Sequence, residues 1–113
     1  MLKMAVFVSG GGTNLQSLID ATQSGSINGE IVLVVSNRKN AYGLERAKKA
    51  GIKAECIKDD QLLIQRLKEE GVDFIVLAGY LAILSDELTA LYHNKIMNIH
   101  PSLIPSFCGP GFY

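Results

Sequence analysis

At 113 residues, 48% of them hydrophobic, with 11 basic side chains against 11 acidic, the chain is long enough to bury a core and carries no net charge. That balance argues against a dedicated nucleic-acid or membrane-surface binder, which would carry a basic footprint, and points to a small-molecule partner. Every apolar run falls short of the roughly 18 residues a membrane span needs, and no signal-peptide pattern precedes the first strand, so the expected location is the cytoplasm.

Leu2–Val8 is a compact apolar run suited to a buried parallel strand. Gly10, Gly11 and Gly12 follow, and then a helix with Leu15, Leu18, Ile19 and Thr22 on one face and Gly25 at its end. Residues 31–35 form a second strand, rich in β-branched side chains, and residues 42–50 a helix with basic residues in its last turn and Gly51 beyond it. A third strand is expected over residues 52–57. Asp59 or Asp60 opens a helix carrying Leu62, Leu63 and Leu67, Gly71 closes it, and residues 72–78 make the fourth and most hydrophobic strand. Ser85, followed by Asp86 and Glu87, caps a further helix that leads to a fifth strand over residues 95–99. No linker or repeat interrupts this alternation. It predicts one α/β domain built on an open, mostly parallel, Rossmann-like sheet with helices on both faces.

Ligands of such sheets gather at the carboxyl ends of the strands. There the glycine loop leads into a helix N-terminus, where amides without intrahelical partners meet the positive end of the helix dipole. Gly12, Thr13 and Asn14 are therefore the phosphate-binding candidates; the alternative is a tight strand-to-helix turn with Thr13 as N-cap. A dinucleotide fingerprint fails, because Leu15 occupies the third glycine position and the second strand ends in Ser36-Asn37 without an acidic residue for a ribose. A P-loop fails for want of its lysine.

Asn98 and His100 stand two residues apart at the end of the fifth strand, so an extended backbone directs both side chains to one face. An amide NH2 and an imidazolium N–H are both suited to an oxygen that gains negative charge during a reaction. Otherwise Asn98 ends a strand and His100 precedes a turn. Cys56 and Cys108 lack metal or disulfide spacing and read as reduced thiols, and Ser102 lacks the elbow and acid of a serine nucleophile.

The string Asn98-Ile99-His100-Pro101-Ser102-Leu103-Ile104-Pro105 resembles the active-site segment of the folate-dependent formyltransferases. Ser9-Gly10-Gly11-Gly12-Thr13-Asn14-Leu15-Gln16 narrows the resemblance to the branch that formylates glycinamide ribonucleotide. Ser36-Asn37, Ala41-Tyr42-Gly43-Leu44-Glu45-Arg46-Ala47 and Leu77-Ala78-Gly79-Tyr80 extend it along the chain. The resemblance implies transfer of a formyl group from 10-formyltetrahydrofolate to the ribonucleotide's primary amine, in purine biosynthesis, with no metal and no covalent enzyme intermediate. It implies that Gly12, Thr13 and Asn14 hold the phosphate, and that Asn98 and protonated His100 hold the tetrahedral oxyanion. Folate is implied to lie against Leu81, Ala82, Ile83, Leu84 and Asn98, beside Tyr80; simple helix packing is the alternative for the apolar ones. Ala82 stands where many members carry a basic residue, and the connection from 59 to 72 lacks the arginine-bearing segment that reaches the folate tail in some, so Arg66 is not assigned that role.

Members of this family are longer, and they place a catalytic aspartate, a folate-covering loop and an acidic residue for the substrate amine beyond the position of Tyr113. The expectation is that residues 1–113 form the N-terminal, ribonucleotide-binding part of a single formyltransferase domain, with the folate-loop half absent. Alone, such a chain would be inactive or weakly active, and its uncovered surface would favour self-association. Two other readings stand beside this one: a non-catalytic ribonucleotide- or phosphate-binding module in which His100 is dispensable, and another folate-dependent formyltransferase or hydrolase sharing the Asn-x-His pair. The glycine loop and the neutral charge favour the ribonucleotide over a tRNA substrate.

Overall fold

The computed structural model describes residues 1–99. Strands and helices alternate as β1 (Leu2–Val8), α1 (Thr13–Ser24), β2 (Gly29–Ser36), α2 (Tyr42–Lys49), β3 (Lys53–Cys56), α3 (Asp60–Glu69), β4 (Phe74–Ala78), α4 (Asp86–Leu91) and β5 (Ile96–Ile99). Every described pairing is parallel, and the strands lie in the order β3-β2-β1-β4-β5. The chain winds outward from β1 to β3 and then crosses back to β4, so the order reverses between β1 and β4. A crevice opens there at the carboxyl ends.

The expected parallel sheet with helices on both faces is what the chain adopts, and the period-two alternation of its strands decides which residue meets which helix. Leu15 and Ile19 of α1 and Leu44 and Ala47 of α2 join Met4, Val6, Val8, Val34 and Val76 in one core cluster. On the other face Leu63, Ile64 and Leu67 of α3 and Leu88 of α4 join Ala5, Phe7, Leu33, Val35 and Ile75. The central strand β1 is buried from Met4 to Val8, which explains its unbroken apolar run. Phe7 also meets Tyr80 edge to face, with ring centroids 5.2 Å apart.

Among the differences from the sequence expectation, two strand starts and the buried face of one helix have a local reason. The fourth strand begins at Phe74, because Val72 belongs to the cap of α3: the Gly71 amide bonds to the Lys68 carbonyl and the Val72 amide to that of Leu67, with Gly71 at φ 65°. The same cap closes α2 through Gly51 and Ile52, which delays β3 to Lys53. In α3 the Asp59 carboxylate accepts from the Leu62 amide and sets the helical phase, so Ile64 is buried and Leu62 faces outward.

Among the described residues, one part of the sheet is left bare. Phe74, Val76, Met97 and Ile99, with Leu18 and Ile27, line an apolar cavity of about 490 Å³, beside α1 on a face where the described residues supply no third helix.

Candidate active site at the carboxyl edge of the sheet

The glycine loop leaves β1 and starts α1 in one sharp turn. Gly12, not Thr13, is the N-cap, with φ 78° and ψ 29° and no side-chain cap bond. Only glycine suits this position, since a Cβ there would lie 2.7 Å from the Cα of Gly43 and the backbone is left-handed. The first intrahelical bond runs from the Gln16 amide to the Gly12 carbonyl, so the amides of Gly12, Thr13 and Asn14 precede the bonded ladder. The loop is also tied to α2. The Gly43 amide donates to the Gly10 carbonyl at 3.1 Å, and Arg46 Nε donates to the Gly11 carbonyl at 2.7 Å. A second Arg46 nitrogen reaches Gln16 Oε1 at 3.3 Å, and the guanidinium lies 5.0 Å from the centroid of the Tyr42 ring. Lys49 Nζ donates to the Tyr42 hydroxyl, and this bond and charge hold the phenol's pKa below its ordinary value.

Across the switch point, the loops after β2 and β4 share one buried hydroxyl. Ser9 Oγ donates to Asn37 Oδ1 at 2.6 Å and accepts from the Leu81 amide at 2.8 Å. Beyond this hub lies a cavity of about 510 Å³ whose wall includes Asn37, Lys58, Asp60, Tyr80, Ile83 and Leu84. Ala82 lines it too, whereas Leu81 lies outside its wall and is 73% exposed; Ile83 is 97% exposed. Burial raises the Tyr80 pKa above its ordinary value, with the nearby Asp60 and Cys56 adding to the rise. Arg66 points elsewhere: it pairs with Glu55 and Glu69, each at 2.9 Å, and takes no part in this cavity.

Asn98 lies in β5 opposite Leu77, which in turn pairs with Phe7. It is exposed, on the sheet face that carries Phe7, Leu77 and the Tyr80 side of the crevice. Two strand spacings, about 10 Å, separate β5 from β1. The fold thus gathers the glycine loop, the 80–84 segment and Asn98 at one edge, although they are far apart in sequence. Asn98 is not in the cavity wall, and His100 lies outside the described residues, as do Ser102 and Cys108. Among the described residues no three His, Cys, Asp or Glu side chains converge to hold a metal ion. Two residues here escaped the sequence reading of roles: Ser9, whose hydroxyl joins two loops, and Arg46, which read as a basic residue near a helix end. Only the motif strings around them drew attention to either.

The arrangement offers backbone amides at a helix N-terminus for an anion, an apolar-walled cavity with polar groups at its rim, and the side-chain amide of Asn98 on the edge strand β5. The chain matches the family described as Formyl transferase over residues 2–112. It is 44% identical to the phosphoribosylglycinamide formyltransferase of Haemophilus influenzae over 122 residues, covering all of this chain and 58% of that protein. The chloroplastic phosphoribosylglycinamide formyltransferase of Arabidopsis thaliana is 43% identical, over 98% of this chain and 41% of its own length. Glycinamide ribonucleotide transformylase 1 from Symbiobacterium toebii superposes with a TM-score of 0.85 at 40% identity, over 97% of this chain and 56% of its own. The chain therefore spans about half the length of the relatives it matches, and across nearly all of its own residues it belongs to the formyl transferase family.

Proposed function

We propose that residues 1–113 carry the ribonucleotide-binding part of a formyltransferase domain that moves a formyl group from 10-formyltetrahydrofolate to the amine of glycinamide ribonucleotide, in the cytoplasm. The observation that carries this reading is the convergence at one sheet edge. The glycine loop, the 80–84 segment and Asn98 follow or end the adjacent strands β1, β4 and β5, and Tyr80, Ala82, Ile83 and Leu84 line a cavity of about 510 Å³. That volume falls within the ~300–1,000 Å³ of small-molecule sites.

In this reading the amides of Gly12, Thr13 and Asn14 bind the ribonucleotide phosphate. Folate lies against Ala82, Ile83 and Leu84, with Leu81 and Asn98 at its border and the flat ring near Tyr80. The substrate amine attacks the formyl carbon, the carbonyl π electrons move onto oxygen, and the Asn98 amide donates a hydrogen bond to the resulting oxyanion. Protonated His100 donates a second bond and passes its proton to the folate nitrogen as the adduct collapses and the bond between the formyl carbon and that nitrogen breaks, while the substrate nitrogen releases its extra proton to water, from which His100 is protonated again. This chemistry requires neither a metal nor a covalent enzyme intermediate.

The test is formyl transfer by the chain alone and by the chain mixed with a separately made segment equivalent to the part of its relatives that it does not cover. Turnover in either arm, reduced about 100- to 1,000-fold in Asn98→Ala and in His100→Ala, is expected. Turnover unaffected by these substitutions would sink the assigned roles. A second reading, ribonucleotide binding without turnover, rests on the loop amides ahead of the first intrahelical bond of α1, which need no other part of the site to hold a phosphate. It takes precedence if both arms are inactive while the ribonucleotide still binds and both pieces are folded. The bare apolar face beside α1 supports self-association of the chain, which sedimentation over a concentration series will reveal.

A further inference from the structure

Arg46 is the one cation whose described hydrogen bonds go to the glycine loop and to α1. A trans peptide unit is planar, with its C=O and N–H pointing in opposite directions. The Gly10 carbonyl is turned toward α2 by the Gly43 amide, so the N–H of Gly11 points away from α2. The Gly11 carbonyl is likewise turned toward α2 by Arg46 Nε, so the N–H of Gly12 points away from it as well. Two consecutive loop amides are thereby aimed to the same side, next to the amides of Thr13 and Asn14 at the start of α1. Glycine-rich segments resist such ordering, since without a Cβ each residue has many alternative conformations. A residue that fixes one peptide plane therefore removes freedom that an anion would otherwise have to remove on binding.

The side chain is itself held. Its guanidinium is bonded to Gln16 Oε1 and stacked near Tyr42, and its Cδ lies 3.3 Å from the position a Gly12 Cβ would take. We infer that Arg46 is a positioning residue for the phosphate-binding loop: through the Nε bond to the Gly11 carbonyl it aims the Gly12 amide at a phosphate monoester carried on a ribose. This deepens the proposed function and rests on its assignment of Gly12, Thr13 and Asn14 to the phosphate. The planar fork is essential to the role, because a lysine ammonium supplies charge without an Nε donor set along the side chain.

Amide NMR of the chain, titrated with ribose 5-phosphate, tests this. In the wild type the Gly11, Gly12, Thr13 and Asn14 resonances are expected to move together on addition of ligand. Arg46→Met is expected to shift the free-state Gly12 resonance and to weaken binding about 10-fold, the scale of one charge-assisted hydrogen bond. The Gly43 amide, whose own bond to Gly10 is kept, serves as the internal control and should stay in place. Arg46→Lys keeps the charge and decides the matter if the Met variant does not fold: incomplete recovery of affinity supports the role. Wild-type affinity and an unmoved Gly12 resonance in Arg46→Met overturn it, as does complete recovery in Arg46→Lys, which would make Arg46 a charge alone. Absence of binding by the folded wild type is a different failure, because it removes the phosphate reading of the loop and the role of Arg46 with it.

Discussion

The two loops that flank the switch point are built in opposite ways. The glycine loop after β1 is held by backbone: two of its carbonyls are bonded to α2, and Gly12 lies so close to Gly43 that no other residue fits. The 80–84 segment after β4 is held near its start by the Leu81 amide on Ser9 and by the Tyr80 ring on Phe7, and beyond that it leaves Leu81 and Ile83 largely in solvent. An anion site made of amides must be rigid before the ligand arrives, since misdirected dipoles repel as readily as they attract. An apolar site for a flat ring needs surface more than direction. In the proposed function, the exposed Leu81 and Ile83 are the surface that such a ring, or further protein, would cover.

If this contrast is right, substitutions on the two sides should separate stability from binding. Gly12→Ala should have the largest effect. The added methyl meets Gly43 at 2.7 Å in a left-handed backbone, and a loss of about 2–4 kcal/mol in unfolding free energy is expected by denaturant titration. Ribose 5-phosphate binding should go with it; retention of both would show that the loop is not close-packed.

Ser9→Ala probes the link between the two sides. It strips the Asn37 carbonyl oxygen and the Leu81 amide of their shared partner, so a loss of about 1–3 kcal/mol is expected. Folate-analogue affinity should fall more than ribose 5-phosphate affinity, because the Leu81 amide anchors the 80–84 segment. Equal losses would mean that Ser9 serves the sheet as a whole.

Ile83→Ser should have the smallest effect on stability, within about 0.5 kcal/mol, as expected for a side chain that is 97% exposed. Equilibrium binding of a folate analogue should nevertheless weaken in this variant. Unchanged binding would assign Ile83 to cover by protein instead of ligand.

How much of this was legible beforehand differs from element to element. The strand β1 read correctly because six of the seven residues from Leu2 to Val8 are apolar and a glycine run follows, and Ser85 read correctly as a cap because serine suits the bond that its hydroxyl accepts from the Leu88 amide three residues later. The sequence marked Leu62, Leu63 and Leu67 on α3 without fixing its inward face. The repeat Leu62-Leu63-Ile64 is apolar throughout, so its phase is set by the Asp59 cap and not by hydrophobicity. As residues at the carboxyl ends of β1 and β5, the glycines and Asn98 were legible from residue type and spacing. Ser9 and Arg46 were not, because a serine at a strand end and an arginine in a basic helix turn are ordinary residues until their partners are known.

By itself the sequence determined the local plan: which stretches extend, which coil, and where glycine ends the first three helices. These depend on interactions between residues close along the chain, where periodicity and backbone preference act directly. The strand order, the crevice between β1 and β4, the Ser9 hub and the Arg46 clamp were decided only in three dimensions. Each depends on residues 28 to 72 positions apart meeting across a sheet, and such a meeting is set by packing of the whole core, for which no local pattern is a proxy.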